Sequence, residues 1–330
     1  CICHDPAQQI ESTHIWLRKI MRIAFLCLTL MSISSLTQEI QTSPKDRKAL
    51  IFLIAGQSNA GGVAAFSPET NEQSGMAEKH PTLPGSTAKE VGIPTTMEAY
   101  PGSYIWGKDF ERLRPGKNLK GGYNDPNRHG IELPMAMLLE KQYPDADKFF
   151  IKHGPGGHNL HTQWKAGQGP DYRHFKDQFD DAMAALEKRY RTIRILGLYW
   201  DQGESDHAQA FNYHGNLRAL FAALRRDCRA HALPIFVRKH LFQHDKLDFM
   251  PIIEAQIRIT DEDPNAYLLD LDLGSNEENF QAWAWTDQNG HLSSKAYLKL
   301  SQHIMTLMRR SPQETLQSSE AGIPEDAPRE

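Results

Sequence analysis

Leu50-Ile-Phe-Leu-Ile-Ala-Gly-Gln-Ser-Asn-Ala-Gly61 is the stretch on which the reading of this chain turns. Its six apolar residues, Leu50 to Ala55, run without a polar interruption and stop at Gly56. A run this short and this apolar fits a strand buried on both faces, the condition of a central strand in a parallel sheet. Gly56-Gln57-Ser58-Asn59 then makes a turn at the carboxyl end of the strand, the edge at which open α/β sheets bind their ligands. Two roles are open to Ser58 there. It is either the N-cap of a following helix, the ordinary use of a serine after a strand, or a nucleophile.

Downstream, strands and helices alternate. Residues 130–142 have helical apolar spacing, with Pro134 tolerated in a first turn. A strand at 148–152 leads into His153-Gly-Pro-Gly-Gly-His-Asn-Leu160, whose glycines let main-chain N–H groups approach a ligand closely. Helix 172–189, strand 193–199, helix 208–232, strand 235–238, helix 252–259, strand 266–271 and an amphipathic helix over 294–309 follow in order. This alternation predicts an α/β fold, a parallel sheet flanked by helices. Residues 62–128 break the pattern with few periodic apolar runs and many Gly, Pro, Ser and Asn. They read as a long irregular insertion at the mouth of the sheet rather than a domain. Its Tyr100, Tyr104, Trp106 and Tyr123 are either platforms for sugar rings or anchors that pin the insertion to the core.

Composition sets outer limits. With 330 residues, 40% of them hydrophobic and 24% charged, the chain can bury a sizeable globular core. A net charge of −4 leaves no basic footprint, so nucleic acid is not an expected partner. Met21-Arg22, an apolar run to Met31 and then small residues read as an export signal over 21–38, too short for a stable membrane span. Residues 1–20 read as sequence upstream of the native start, and the expected location is periplasmic or extracellular. Cys1, Cys3 and Cys27 lie in that excluded part, so Cys228 alone remains and no internal disulfide is expected. A domain over 48–310 is followed by a Pro, Glu and Ser-rich stretch, 311–330, that reads as a disordered tail.

Polar clusters fall at successive strand ends: Ser58, then Gly156-Gly157, then Trp200-Asp-Gln-Gly-Glu-Ser-Asp206, then Asp287 and His291. An acyl-transfer hydrolase requires a nucleophile, a histidine to take its proton, a group to orient that histidine, and donors for the oxyanion. Taken in order with Gly130-Ile-Glu-Leu-Pro-Met-Ala136, Trp164 and His291-Leu-Ser293, these residues resemble the sialate O-acetylesterase-like branch of the SGNH hydrolases, which includes the family 6 carbohydrate esterases. The likeness runs through residues 48 to 308. It implies a three-layer α/β/α sandwich around a mostly parallel, flavodoxin-like sheet of about five strands. It also implies an exported carbohydrate O-acetylesterase that needs no cofactor. Ser58 would be the nucleophile, His291 the general base and Asp287 its orienting acid. The oxyanion would be held by the N–H groups of Ser58 and Gly157 and by the Gln202 side-chain amide, which stands where the wider superfamily has an asparagine. Gln57, Asn59, His158 and Glu204 flank these positions and are expected to contact substrate.

The pattern departs from its relatives at one place. They carry the orienting aspartate three residues before the histidine, whereas Asp287 is four before His291, across Gln288-Asn289-Gly290. Asp287 orients the imidazole, or the site works as a dyad. Asp201, Glu204 and Asp206 could suggest a glycosidase pair, but their close spacing on one loop favours a hydrogen-bonded scaffold around Gln202. His153, His158 and His161, like His240 and His244, have no cysteine or carboxylate at matching ligand spacing, so no metal site is expected. Glu132 reads as an acid in the first turn of a helix. The rival functions are a general short-chain esterase or arylesterase, and a carbohydrate-binding protein that has lost catalysis.

Overall fold

The computed structural model describes residues 47–73, 82–116, 127–240, 249–271, 291–310 and 315–317. The expected export signal and the residues before it lie outside the described residues, as do Tyr123, His244, Asp287 and most of the expected tail. Within the described residues the apolar run becomes β1 (Lys48–Gly56), with every residue after Lys48 buried. Along one sheet β1 has β6 (Ala146–His153) on one side and β7 (Thr192–Asp201) on the other, both parallel to it. β8 (Ile235–Arg238) and β9 (Ala266–Leu269) extend the sheet beyond β7, also in parallel. These are the five strands expected from the sequence, with small shifts of their ends.

The sheet is larger than that core. Residues 62–128 contribute β3 (Ser103–Trp106), parallel to β6, and β4 (Phe110–Arg112), antiparallel to β3. They also form a separate two-stranded ribbon, β2 (Ala64–Ala65) with β5 (Arg128–His129). The irregular insertion is therefore partly sheet; three- and four-residue strands are too short to display the alternation that marks a strand. The backbone at Thr315–Gln317, within the expected tail, forms β10 antiparallel to the start of β7. The order is β4-β3-β6-β1-β7-β8-β9, with β10 on β7.

Alternate residues of β1 face opposite helical layers. Leu50, Phe52 and Ile54 share a core with Leu133, Ala136 and Leu139 of α3 (Glu132–Gln142) and with Tyr297, Leu300 and Ile304 of α7 (Ser294–Met308). The described helices are completed by the short α1 (Ser58–Gly61) and α2 (Pro68–Gln73), by α4 (Pro170–Glu187), and by α5 (Ala210–Asp227) and α6 (Met250–Glu262), which pack on each other. The insertion's described aromatics, Tyr100, Tyr104 and Trp106, are anchors. Tyr100 is fully buried with its hydroxyl donating to the Pro94 carbonyl at 2.7 Å, Tyr104 stacks on Phe149, and Trp106 meets Phe110 edge to face.

After β1 the chain builds β3 and β6 on one side and β7, β8 and β9 on the other. β1 is thus the switch point of the sheet, and its carboxyl end opens the crevice where such folds bind ligands. Two glycines let the backbones close in there. Gly56 has φ +143°, and a Cβ on it would fall 2.0 Å from the Asp201 carbonyl oxygen. A Cβ on Gly154 would fall 2.3 Å from the Gly61 nitrogen. Gly56→Ala is expected to lower the unfolding free energy by about 3 kcal/mol, through a disfavoured φ and a backbone clash together. A urea midpoint shift checks this; an unchanged midpoint would mean that the two strand ends separate freely.

Candidate active site

Ser58 opens α1 directly after β1 and is buried apart from a 7% residue of exposure. His291, at the start of the segment that leads into α7, places its Nε2 3.1 Å from Ser58 Oγ. A serine hydroxyl and an imidazole nitrogen at that distance are within reach for proton transfer. As the first residue of α1, Ser58 also has an N–H with no acceptor in its own helix. Gly156 lies alongside, since a Cβ on it would stand 3.9 Å from Ser58 Cβ, while a Cβ on Gly157 would meet nothing within 4 Å. Gly157 has φ +74°, the left-handed region in which glycine is free of strain. The glycine turn after β6 therefore passes over the serine with an open side.

Asn59 and Gln57, expected from the sequence to contact substrate, are nearly covered and hydrogen-bonded within the protein. Asn59 is 1% exposed. Its Oδ1 accepts from the Leu292 N–H at 2.9 Å, its Nδ2 donates to Glu204 Oε1 at 3.2 Å, and its carbonyl accepts from the Tyr297 hydroxyl at 2.6 Å. Leu292 follows His291 in sequence, so Asn59 ties the histidine segment to the serine turn. Gln57 is 3% exposed, and its N–H donates to the Asp201 carbonyl at 2.8 Å while its Oε1 accepts from Gln202 Nε2 at 3.2 Å. Asn59 thus has both its amide atoms engaged within the protein, and Gln57 has its amide oxygen engaged.

Gln202 is fully buried. Its Nε2 has Gln57 Oε1, Asp206 Oδ2 and the His158 carbonyl within hydrogen-bond distance, more acceptors than it has hydrogens. Its Oε1 is buried with no hydrogen-bond partner among the described residues. In this arrangement the amide holds its own loop, and the expected oxyanion donor faces Gln57 and Asp206. Asp206 also accepts from the N–H groups of Leu160 and His161, at 2.7 and 3.1 Å, and burial raises its carboxyl above the usual range. Asp206 thus joins the glycine turn to the Gln202 loop. The scaffold reading of the three acids holds for it.

The other two acids share Arg238, which is 1% exposed. Arg238 Nε donates to Asp201 Oδ1 at 2.6 Å, and one guanidinium nitrogen donates to Glu204 Oε1. Burial lifts the Asp201 carboxyl despite Arg238, while for Glu204 burial is outweighed by Arg238 and His240, which hold it below the usual range. Asp201 further accepts from the Tyr199 hydroxyl. Glu204 is engaged by Arg238 and Asn59, so it too is a brace, although 18% of its side chain remains exposed. Arg238 has a signal in retrospect: it is a charged residue closing the apolar strand Ile-Phe-Val-Arg at the site edge.

A second cluster lies under the glycine turn. Asp171, in the first turn of α4, accepts from His153 Nε2 at 3.0 Å and from His158 Nδ1 at 2.6 Å. Burial opposes its charge, yet the two imidazoles bring the carboxyl below the usual range. Trp164 Nε1 donates to the Gly56 carbonyl at 2.9 Å, and the indole meets Trp200 edge to face at 5.3 Å. Glu132 bonds Lys152 Nζ and the Gly130 N–H, both at 2.8 Å, so it is a buried brace between α3 and β6. Nothing in the local sequence marks Asp171, whose partners are remote in the chain.

Asn59→Ala is expected to cost about 1–3 kcal/mol by stranding the Leu292 N–H, and to lower ester turnover at least tenfold as His291 loses its register with Ser58. Parallel urea titration and acetate-release assays check both; full turnover would detach Asn59 from His291.

The comparisons agree with this geometry. Residues 48–310 match the family model described as carbohydrate esterase, sialic acid-specific acetylesterase. Among solved structures, NanS superposes with a TM-score of 0.55 at 16% identity, covering 81% of this chain and 99% of its own. A protein from Arabidopsis thaliana superposes with a TM-score of 0.53 at 17% identity, covering 78% of this chain and 98% of its own. No curated protein matches the chain by sequence. The fold is shared with these two structures, and the chain belongs to the carbohydrate esterase family of sialic acid-specific acetylesterases, a family of carboxylic ester hydrolases.

Proposed function

We propose that the protein is an exported serine esterase that removes acetyl groups from sugar hydroxyls, with Ser58 as nucleophile and His291 as general base. The observation that carries this is the 3.1 Å separation of His291 Nε2 and Ser58 Oγ at the switch point of the sheet. His291 takes the Ser58 proton as Oγ attacks the acetyl carbonyl, and the carbonyl oxygen becomes an oxyanion. The N–H groups of Ser58 and Gly157 receive it, and the Gln202 amide joins them when its Nε2 turns away from Gln57. His291 then hands the proton to the departing sugar oxygen, leaving an acetyl ester on Ser58. Water, deprotonated by the same imidazole, attacks that ester and releases acetate and Ser58. Asp287, four residues before His291, is the proposed orienting acid. Residues 21–38 are the proposed export signal, and signal-dependent appearance outside the cytoplasm tests that part by fractionation.

Ser58→Ala is expected to abolish acetate release from p-nitrophenyl acetate and from acetylated sugars while leaving the unfolding midpoint within a degree or two. Retained turnover would pass the chemistry to another group, and a binder without catalysis would show none in the parent protein. Gln202→Ala is expected to lower kcat about 100- to 1000-fold, the usual loss for one oxyanion donor. Turnover within a fewfold of the parent would leave Gln202 as a brace alone. Asp287→Ala is expected to cost up to about 10⁴-fold, and a loss below about tenfold would mark a Ser-His dyad.

A further inference from the structure

His158 is the polar side chain at this edge that the hydrolytic cycle leaves unused. Its main chain lies between the serine turn and the Gln202 loop. Gly156, two residues earlier, stands against Ser58, and the His158 carbonyl is 3.4 Å from Gln202 Nε2. Its side chain is 40% exposed where Gln57, Ser58, Asn59 and Gln202 are all nearly covered. The ring is not loose, because Nδ1 sits 2.6 Å from Asp171 Oδ2. Asp171 is held in turn by His153 Nε2 at 3.0 Å, and the His153 ring packs on Trp164 and on His174. The imidazole at the rim is thus fixed through a carboxylate that is itself clamped from below.

That arrangement sets what the exposed edge offers. A carboxylate on Nδ1 requires the N–H there, so in the neutral ring Nε2 carries the lone pair. An oriented acceptor at the exposed rim of the glycine turn suits a hydroxyl donor better than the methyl or carbonyl of an acetyl group. Resting on the esterase reading above, we propose that His158, positioned by Asp171, is a specificity residue that accepts a hydrogen bond from a free sugar hydroxyl neighbouring the acetylated one. Asp171 acts through His158 and is a positioning residue. Its second partner, His153, keeps the carboxylate in place when the ring of His158 is removed, which makes the pair separable by mutation.

The test compares p-nitrophenyl acetate, which has no sugar hydroxyl, with a monoacetylated pyranoside bearing a free neighbouring hydroxyl and with its analogue deoxygenated at that neighbour. His158→Ala is expected to raise KM for the monoacetylated sugar about tenfold and to leave p-nitrophenyl acetate within twofold. The deoxy analogue should be a poor substrate for the parent and no worse for the variant. Asp171→Asn, checked for an unchanged circular dichroism spectrum, should move the sugar KM in the same direction, and His158→Gln, which retains an acceptor, should restore part of it. Equal losses on both substrates would make His158 a structural part of the oxyanion turn, and no loss on either would remove it from the site; each overturns the proposal. Failure of the esterase reading itself would register separately, as p-nitrophenyl acetate turnover that survives Ser58→Ala.

Discussion

The Gln57 N–H reaches the Asp201 carbonyl at 2.8 Å because residue 56 carries no side chain. This contact binds the carboxyl ends of β1 and β7 where parallel pairing ends, and much of the site rests on it. It brings the loop after β7 under the serine turn, so that Gln202 can bond Gln57 and Glu204 can bond Asn59. Trp164 adds a bond to the Gly56 carbonyl from the loop after β6. Three strand ends are thereby joined, β1 to β7 through main-chain groups that do not depend on rotamer choice and the loop after β6 through the Trp164 indole.

Charge is placed under this frame rather than in it. Arg238 faces two carboxylates in a buried setting, where an unpaired charge would be costly and a shared one is tolerable. The consequence is a chain of contacts from β8 to the His291 segment: Arg238 to Glu204, Glu204 to Asn59, Asn59 to the Leu292 N–H. Tyr297 closes it from α7 through the Asn59 carbonyl. Preorganisation of this kind matters because an oxyanion site works by having its dipoles in place before charge develops.

The Asp171 cluster repeats on a smaller scale the logic of a catalytic dyad, with a carboxylate on one imidazole nitrogen and the other facing outward. Here the carboxylate is shared by two histidines. The ring at the rim can then be rigid without touching the Ser58–His291 pair, and in the proposed cycle binding and bond-breaking draw on different imidazoles.

Local sequence determined the elements and the chemistry-bearing positions. The apolar run at 50–55 identified the central strand, the strand and helix alternation identified the layers, and the motif residues identified Ser58 and His291. These features depend on short-range periodicity and on residue types whose chemistry is intrinsic. Tertiary structure decided the rest. That Asn59 and Gln57 tie the serine turn to its neighbours, that residues 103–112 join the sheet, and that Asp171 gathers two histidines all follow from partners distant in the chain, for instance 145 residues apart for Asn59 and Glu204. A polar side chain has the same composition whether it faces substrate or another loop. Only the packing that brings remote strand ends together, and the burial that follows, determines which of its hydrogen bonds are already taken.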